Sequence, residues 1–140
     1  MITYNSCDIE IPAIDQERLN DWINRVVINN NCEIGELNYY FCSDDHLLQM
    51  NREHLNHDYF TDIITFDYTV SDLISGDMFI SVDTVKDNAQ EYKCEFSQEL
   101  RRVLIHGVLH LIGFDDKTDK DQEIMTQKED ESLALFSKIH

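Results

Sequence analysis

Residues 62–82 read DIITFDYTVSDLISGDMFISV. The first part, residues 62–70, is rich in β-branched and aromatic side chains, as a strand requires, and SGDMFISV at 75–82 reads as a second strand opened by a glycine turn. No helical pattern separates them, so two strands follow one another directly. Elsewhere strands and helices alternate. Upstream, Ile14, Leu19, Trp22, Ile23, Val26 and Val27 recur at helical spacing over 14–29, and the NNN run at 29–31 stops that helix. Pro12 stands where a first strand gives way to it. CEIGELNYYFC at 32–42 reads as a strand, and Ser43 is placed to cap a short helix through Leu47, Leu48 and Met50.

Downstream, three helices are expected: 82–92, 97–112 with Ser97 as N-cap, and 119–138 with Asp119 and Gln122 spaced like a capping box. The order β α β α β β α α α predicts an α/β layered domain over 1–140, with a mixed sheet of about four strands and about five helices. No repeat, low-complexity tract or linker interrupts it. A chain of 140 residues buries a core without needing disulfides.

Composition narrows the function. The N-terminus lacks the pattern of a signal peptide and no run is long and apolar enough to span a membrane, so a cytoplasmic protein with no membrane partner is expected. Cys7, Cys32, Cys42 and Cys94 form no CxxC pair, which argues for reduced thiols and against a cysteine-based metal site or disulfide framework. With 28 acidic against 11 basic side chains the molecule as a whole repels polyanions. Arg101, Arg102, Lys117 and Lys120 make a local basic cluster, read first as a solvated helix surface.

The chemistry gathers at HGVLHLIGFDD, residues 106–116. Leu100, Val103, Leu104, Val108 and Leu111 form one apolar stripe, and His106 and His110, at i and i+4, are neighbours on the helix surface whose imidazoles can converge on one ion. Gly113 suits the left-handed residue that ends a helix and turns the chain back. Asp115 and Asp116 are then the candidates for a third arm. In a chain with six histidines the i, i+4 pair alone is weak, and the glycine stop and returning carboxylate strengthen it. Gly107 stands where HExxH peptidases carry their general-base glutamate, which weakens a peptidase reading.

The stretch HGVLHLIGFDD resembles the H-G-x-L-H-L-x-G-Y-D-H signature of the YbeY-type endoribonucleases, the rRNA maturation factors. MNREHLNHDYFTDIITFDY (50–68) resembles that family's L-N-x-x-F-R-x-K-D-x-P-T-D-V-L-S-F segment, GDMFIS (76–81) its G-D-I-x-I strand, and Met125 with Glu129 the pattern on its last helix. The resemblance implies one zinc ion per chain and cleavage of single-stranded RNA. It further implies a role in 16S rRNA 3′-end maturation and ribosome quality control, with the small ribosomal subunit as partner and no DNA. Carried over, the metal ligands fall on His106, His110 and Asp116, the last replacing a family histidine, and a carboxylate also ligates zinc.

Leu55 stands at the family's arginine position, where it cannot hold a phosphate. Arg52 lies one turn earlier and is either a substitute or a surface charge. His106 and Asp115 are the catalytic candidates, with Asp115 able to position water, orient a ligand histidine or cap the turn. Thr61, Asp62, Arg52 and Lys117 are the candidate substrate contacts, although Thr61 and Asp62 equally suit the turn into their strand. The rivals are a noncatalytic ribosome-associated factor with a structural metal, favoured by Leu55 and the acidic surface, and a metal-dependent hydrolase of another substrate. The HxD spacing of two-histidine, one-carboxylate iron oxygenases is absent.

Overall fold

The structure is a computed structural model that describes residues 1–55 and 61–139. Its elements run β1 (Ile2–Ser6), α1 (Gln16–Asn29), β2 (Glu33–Cys42), α2 (Asp44–His54), β3 (Ile63–Asp67), β4 (Leu73–Ser81), α3 (Val82–Glu91), α4 (Phe96–Ile112) and α5 (Asp119–Phe136). The expected order is present. The four strands lie in the order β1-β2-β4-β3. β1 and β2 are parallel, β2 and β4 are parallel, and β3 runs antiparallel to β4, which makes the sheet mixed. The part of the family-like segment between Leu55 and Thr61 lies outside the described residues.

Period-2 alternation assigns the two faces of the sheet. Leu37, Tyr39 and Phe41 of β2, with Ile74, Met78 and Ile80 of β4, join the main core together with α1, α4 and α5. Cys42, Leu47 and Ile64 form a second, smaller cluster, with Tyr40, Met50, Phe66 and Phe79 against it. Residues of α4 bury more than the expected stripe, since Ile105, Gly107 and Leu109 are also covered. Two glycines set how close α4 comes to the sheet. A Cβ on Gly107 would stand 2.7 Å from Met78 Sδ and 2.9 Å from Ile63 Cδ1, and one on Gly76 would stand 2.7 Å from the Phe66 carbonyl oxygen.

Several expected boundaries move, each for a local reason. Gly76 lies inside β4 instead of opening it, paired with Leu37 and Asp67, where the Phe66 carbonyl and the Leu111 side chain leave no room for a Cβ. The strand expected over 62–70 ends at Asp67, and Val70 makes only an isolated bridge to Leu73. α4 begins earlier than Ser97: the Glu95 carbonyl accepts from Gln98 and Glu99 N–H, and Glu95 caps without a side-chain hydrogen bond. Thr118, not Asp119, caps α5 by accepting from Asp121 N–H. The Gln122 side chain reaches the Asp116 carbonyl instead of closing a capping box. Ser43 caps α2 as expected, accepting from His46 N–H. Among the described residues no helix is long and apolar enough to cross a membrane.

Candidate metal centre

Local chemistry builds the site at the end of α4. Gly113 takes φ +124°, and the Gly113 N–H donates to the His110 carbonyl while Phe114 N–H donates to that of Leu109. These crossed bonds are a Schellman closure, which only a residue free to adopt positive φ makes cheaply. The chain turns back, and Gln122 Nε2 holds the Asp116 carbonyl at 3.1 Å. Asp116 thereby faces the two histidines. His106 Nε2 and His110 Nε2 are 3.0 Å apart, and Asp116 Oδ2 lies 3.4 and 3.3 Å from them.

That triangle is the shape a metal needs. Nitrogen and oxygen ligands about 2.0–2.1 Å from one tetrahedral zinc ion stand about 3.3 Å from each other. The donor set also fits, because three lone-pair atoms crowded around one point repel unless a proton or a cation lies between them. His106, His110 and Asp116 therefore form a group able to hold a metal ion.

His106 is oriented from behind. Its Nδ1 lies 2.7 Å from Glu129 Oε2, and a carboxylate there can only accept, so Nδ1 carries the proton and Nε2 turns its lone pair to the triangle. Arg102 Nη1 donates to the other Glu129 oxygen at 2.9 Å, and Arg102 Nη2 donates to Asp130 at 3.3 Å. Burial works against a charged His106, but the hydrogen bond and charge of Glu129, joined by Asp62 and Asp116, outweigh it and raise its pKa. Burial also raises Asp62, with Glu129 adding to it and His106 opposing it. The Trp22 Nε1–H bond to the Ser132 carbonyl, at 2.6 Å, ties the Glu129-bearing helix to α1.

An open cleft leads to the triangle. Thr61, Asp62, Asp115, Asp116, His106 and His110 all line it, so six of the expected residues meet in one place. Arg52 and Lys117 are exposed and do not line it. Leu55, 42 % exposed, ends α2 as its C-cap. Thr65 and Asp67 line the cleft without having been singled out from the sequence. Four carboxylates, Asp62, Asp67, Asp115 and Asp116, face the cleft, and no described Lys or Arg does.

Half of the basic cluster differs from its expected role: Lys117 and Lys120 are exposed as expected, whereas the two arginines pack against α5. Arg102 is a buried-side ion-pair partner of Glu129, and Arg101 stacks over Phe136 at 4.3 Å with Arg18 over the same ring at 4.0 Å. Glu129 stood in the sequence as part of a family pattern with no role attached. Arg102 and Glu129 are 27 residues apart on different helices, and no local spacing announces their contact.

Comparison with known proteins agrees over nearly the whole chain. The family model described as Endoribonuclease YbeY matches residues 2–137. The Endoribonuclease YbeY of Flavobacterium johnsoniae is 47 % identical over 136 residues, which covers 97 % of both chains. That of Cytophaga hutchinsonii is 51 % identical over 129 residues, covering 91 % of this chain and 90 % of its own. Among solved structures, the solution structure of TM1509 from Thermotoga maritima superposes with a TM-score of 0.69 at 25 % identity, covering 97 % of this chain and 89 % of that one. A match of this extent, on a fold that brings His106, His110 and Asp116 to one point, places the chain in the endoribonuclease YbeY family.

Proposed function

We propose that residues 1–140 form one YbeY-type domain that acts as a zinc-dependent endoribonuclease on single-stranded RNA. It works in the cytoplasm on the small ribosomal subunit, in 16S rRNA 3′-end maturation and ribosome quality control. The observation that carries this reading is the His106, His110, Asp116 triangle at the end of an open cleft. When bound there, zinc supplies Lewis-acid activation of water and positive charge for the phosphodiester.

The chain's own residues prepare the site for that chemistry. Glu129 fixes the His106 tautomer, and Arg102 holds Glu129 in place. Asp115, exposed at the cleft wall, serves in this reading to take a proton from the attacking water. Thr61 and Asp62 border the groove along which the RNA strand runs. The carboxylate lining makes the empty cleft repel a phosphate, so binding of an anionic substrate depends on the cation at the triangle.

The test is cleavage of a single-stranded rRNA fragment by the purified chain, with and without chelator, alongside metal content. Cleavage that chelator abolishes and zinc restores, and that the His106→Ala, His110→Ala double variant lacks together with an ion, supports the reading. Chelator-insensitive cleavage, or full metal occupancy in the double variant, overturns it.

A further inference from the structure

A second group of metal-binding atoms lies beneath α2, in the smaller hydrophobic cluster. Its placement follows from strand register. β1 and β2 are parallel with Ser6 paired to Phe41, and Cys7 N–H continues the ladder to the Phe41 carbonyl at 3.1 Å. The next residues on the two strands are Cys7 and Cys42, side by side across neighbours about 4.8 Å apart. Ser43 follows immediately and caps α2, which puts His46 in the first turn of that helix with its N–H on Ser43 Oγ. His46 Nε2 then stands 3.1 Å from Cys7 Sγ. The two sulfurs and one imidazole nitrogen all lie within 4.8 Å of one another.

The geometry points to a second metal site, with Cys7, Cys42 and His46 as ligands for a soft or borderline ion of the zinc class. Thiolate and imidazole donors favour zinc over magnesium or calcium. Sulfur and nitrogen on one tetrahedral zinc stand about 3.6 Å apart, so Cys7 Sγ must recede by about half an ångström from His46 as the ion enters. Cys7 is only partly buried and can make that move.

The site is braced on both sides before any ion arrives. Asp8, next to Cys7, accepts from Ser43 N–H at 2.9 Å and from the Ser43 hydroxyl, locking the loop after β1 to the start of α2. Burial, with Cys7 and Asp8 beside it, pushes the Cys42 thiol above its ordinary range, so the free protein holds a thiol there. Both sulfurs bind as thiolates, with any thiol proton released to solvent as each zinc–sulfur bond forms. Two thiolates, a neutral imidazole and a dication sum to zero charge, which suits a partly buried position. The ion would act as a clasp between the end of β1 and α2. Such a site runs against the expectation, drawn from the absence of any CxxC pair, that the cysteines offer no metal site, because the strand register supplies a neighbour that sequence spacing hides.

Cobalt(II) tests the assignment, since of the two metal-binding groups among the described residues the triangle at His106 contains no sulfur, and this one gives thiolate-to-cobalt charge-transfer absorption in the near ultraviolet. The full-length chain is kept under a thiol-free reductant, stripped of metal, and titrated with cobalt and then zinc while bound metal is counted. Two ions per chain with a charge-transfer band are expected. Cys7→Ser should lose one ion and the band, and His46→Asn should weaken both. The His106→Ala, His110→Ala double variant should keep the band and lose the other ion. In that double variant zinc should raise Tm, and adding Cys7→Ser should remove the rise. Absence of the band in the parent, or its survival in folded Cys7→Ser, overturns the proposal. Because the band is read in a variant without the first site, its failure is distinct from failure of the nuclease reading.

Discussion

Glu129 and His106, 23 residues apart in sequence, are joined by a 2.7 Å hydrogen bond at the rear of the candidate centre. The bond decides which nitrogen of His106 faces the triangle. Removing it leaves the ring free to choose the other tautomer or to swing. Glu129→Ala should therefore lower zinc affinity about 10- to 100-fold, measured by competition with a chromophoric chelator. Glu129→Gln, whose amide oxygen can still accept from Nδ1, should recover part of the loss. Equal loss in both variants would assign the effect to the carboxylate's charge instead of its orientation of the ring.

Asp116 makes the triangle a two-histidine, one-carboxylate set. A dication there carries net charge +1, against +2 with three imidazoles, so water at the site ionises less readily. Asp116→His should keep the metal and move the pH dependence of RNA cleavage toward lower pH. Asp116→Ala should weaken metal binding. If Asp115→Ala weakens it and Asp116→Ala does not, the neighbouring carboxylate is the ligand.

Leu55 sits at the end of α2, 42 % exposed, where the family pattern carries arginine. A charge-assisted phosphate contact is worth roughly 1.5 to 3 kcal/mol, so Leu55→Arg should raise the cleavage rate by about tenfold or more. An unchanged rate in a folded variant means the phosphate is held elsewhere, with Arg52 and Lys117 next to be tested.

Glu99, 4 % exposed, pairs only loosely with Arg102 at 3.9 Å. Burial raises its pKa against the pull of Arg102, with Asp62 and Glu129 adding to the rise. Because the folded pKa lies above the unfolded one, the stability tied to the protonated form is complete below about pH 4 and is lost as pH rises through the folded value. Glu99→Gln, an isostere of the protonated acid, should show a higher Tm than the parent at pH 7, with the gap closing toward pH 4. A lower Tm for Glu99→Gln than for the parent at pH 7 would show instead that the ionised Glu99–Arg102 pair stabilises the fold.

Gly107 faces Met78 and Ile63 with no space for a methyl group. Gly107→Ala should destabilise the chain by about 1–3 kcal/mol in urea unfolding, as overpacking does. The same substitution in a Met78→Ala background should cost less, since the nearest obstructing atom is then gone.

Much of this molecule is legible in its sequence because the information is local. Helical stripes in α1 and α4, the Ser43 cap and the Gly113 stop each depend on residues within a turn or two of one another. His106, His110 and Asp116 also lie within a single helix end and its turn, so spacing brings the histidines together with Asp115 or Asp116, and the family resemblance singles out Asp116. What sequence spacing hides is contact between distant segments. Arg102 with Glu129 joins two helices, and Cys7 beside Cys42 depends on the register of two parallel strands. Gly76 is a further case: a glycine suggests a turn, but here it lies within β4 and yields space to the Phe66 carbonyl and to Leu111 above the sheet.

The tight seat of Gly107 also bears on which chemistries are within mutational reach. The HExxH peptidases and this chain share two histidines four residues apart, and they differ at the position between them that carries the peptidases' glutamate. In this fold that position is turned onto Met78 and Ile63, away from the triangle formed by His106, His110 and Asp116. A glutamate placed there would bury an unpaired carboxylate in the sheet contact and could not reach a substrate at the cleft. A glutamate between the two histidines is thus closed to this scaffold until α4 lifts from the sheet.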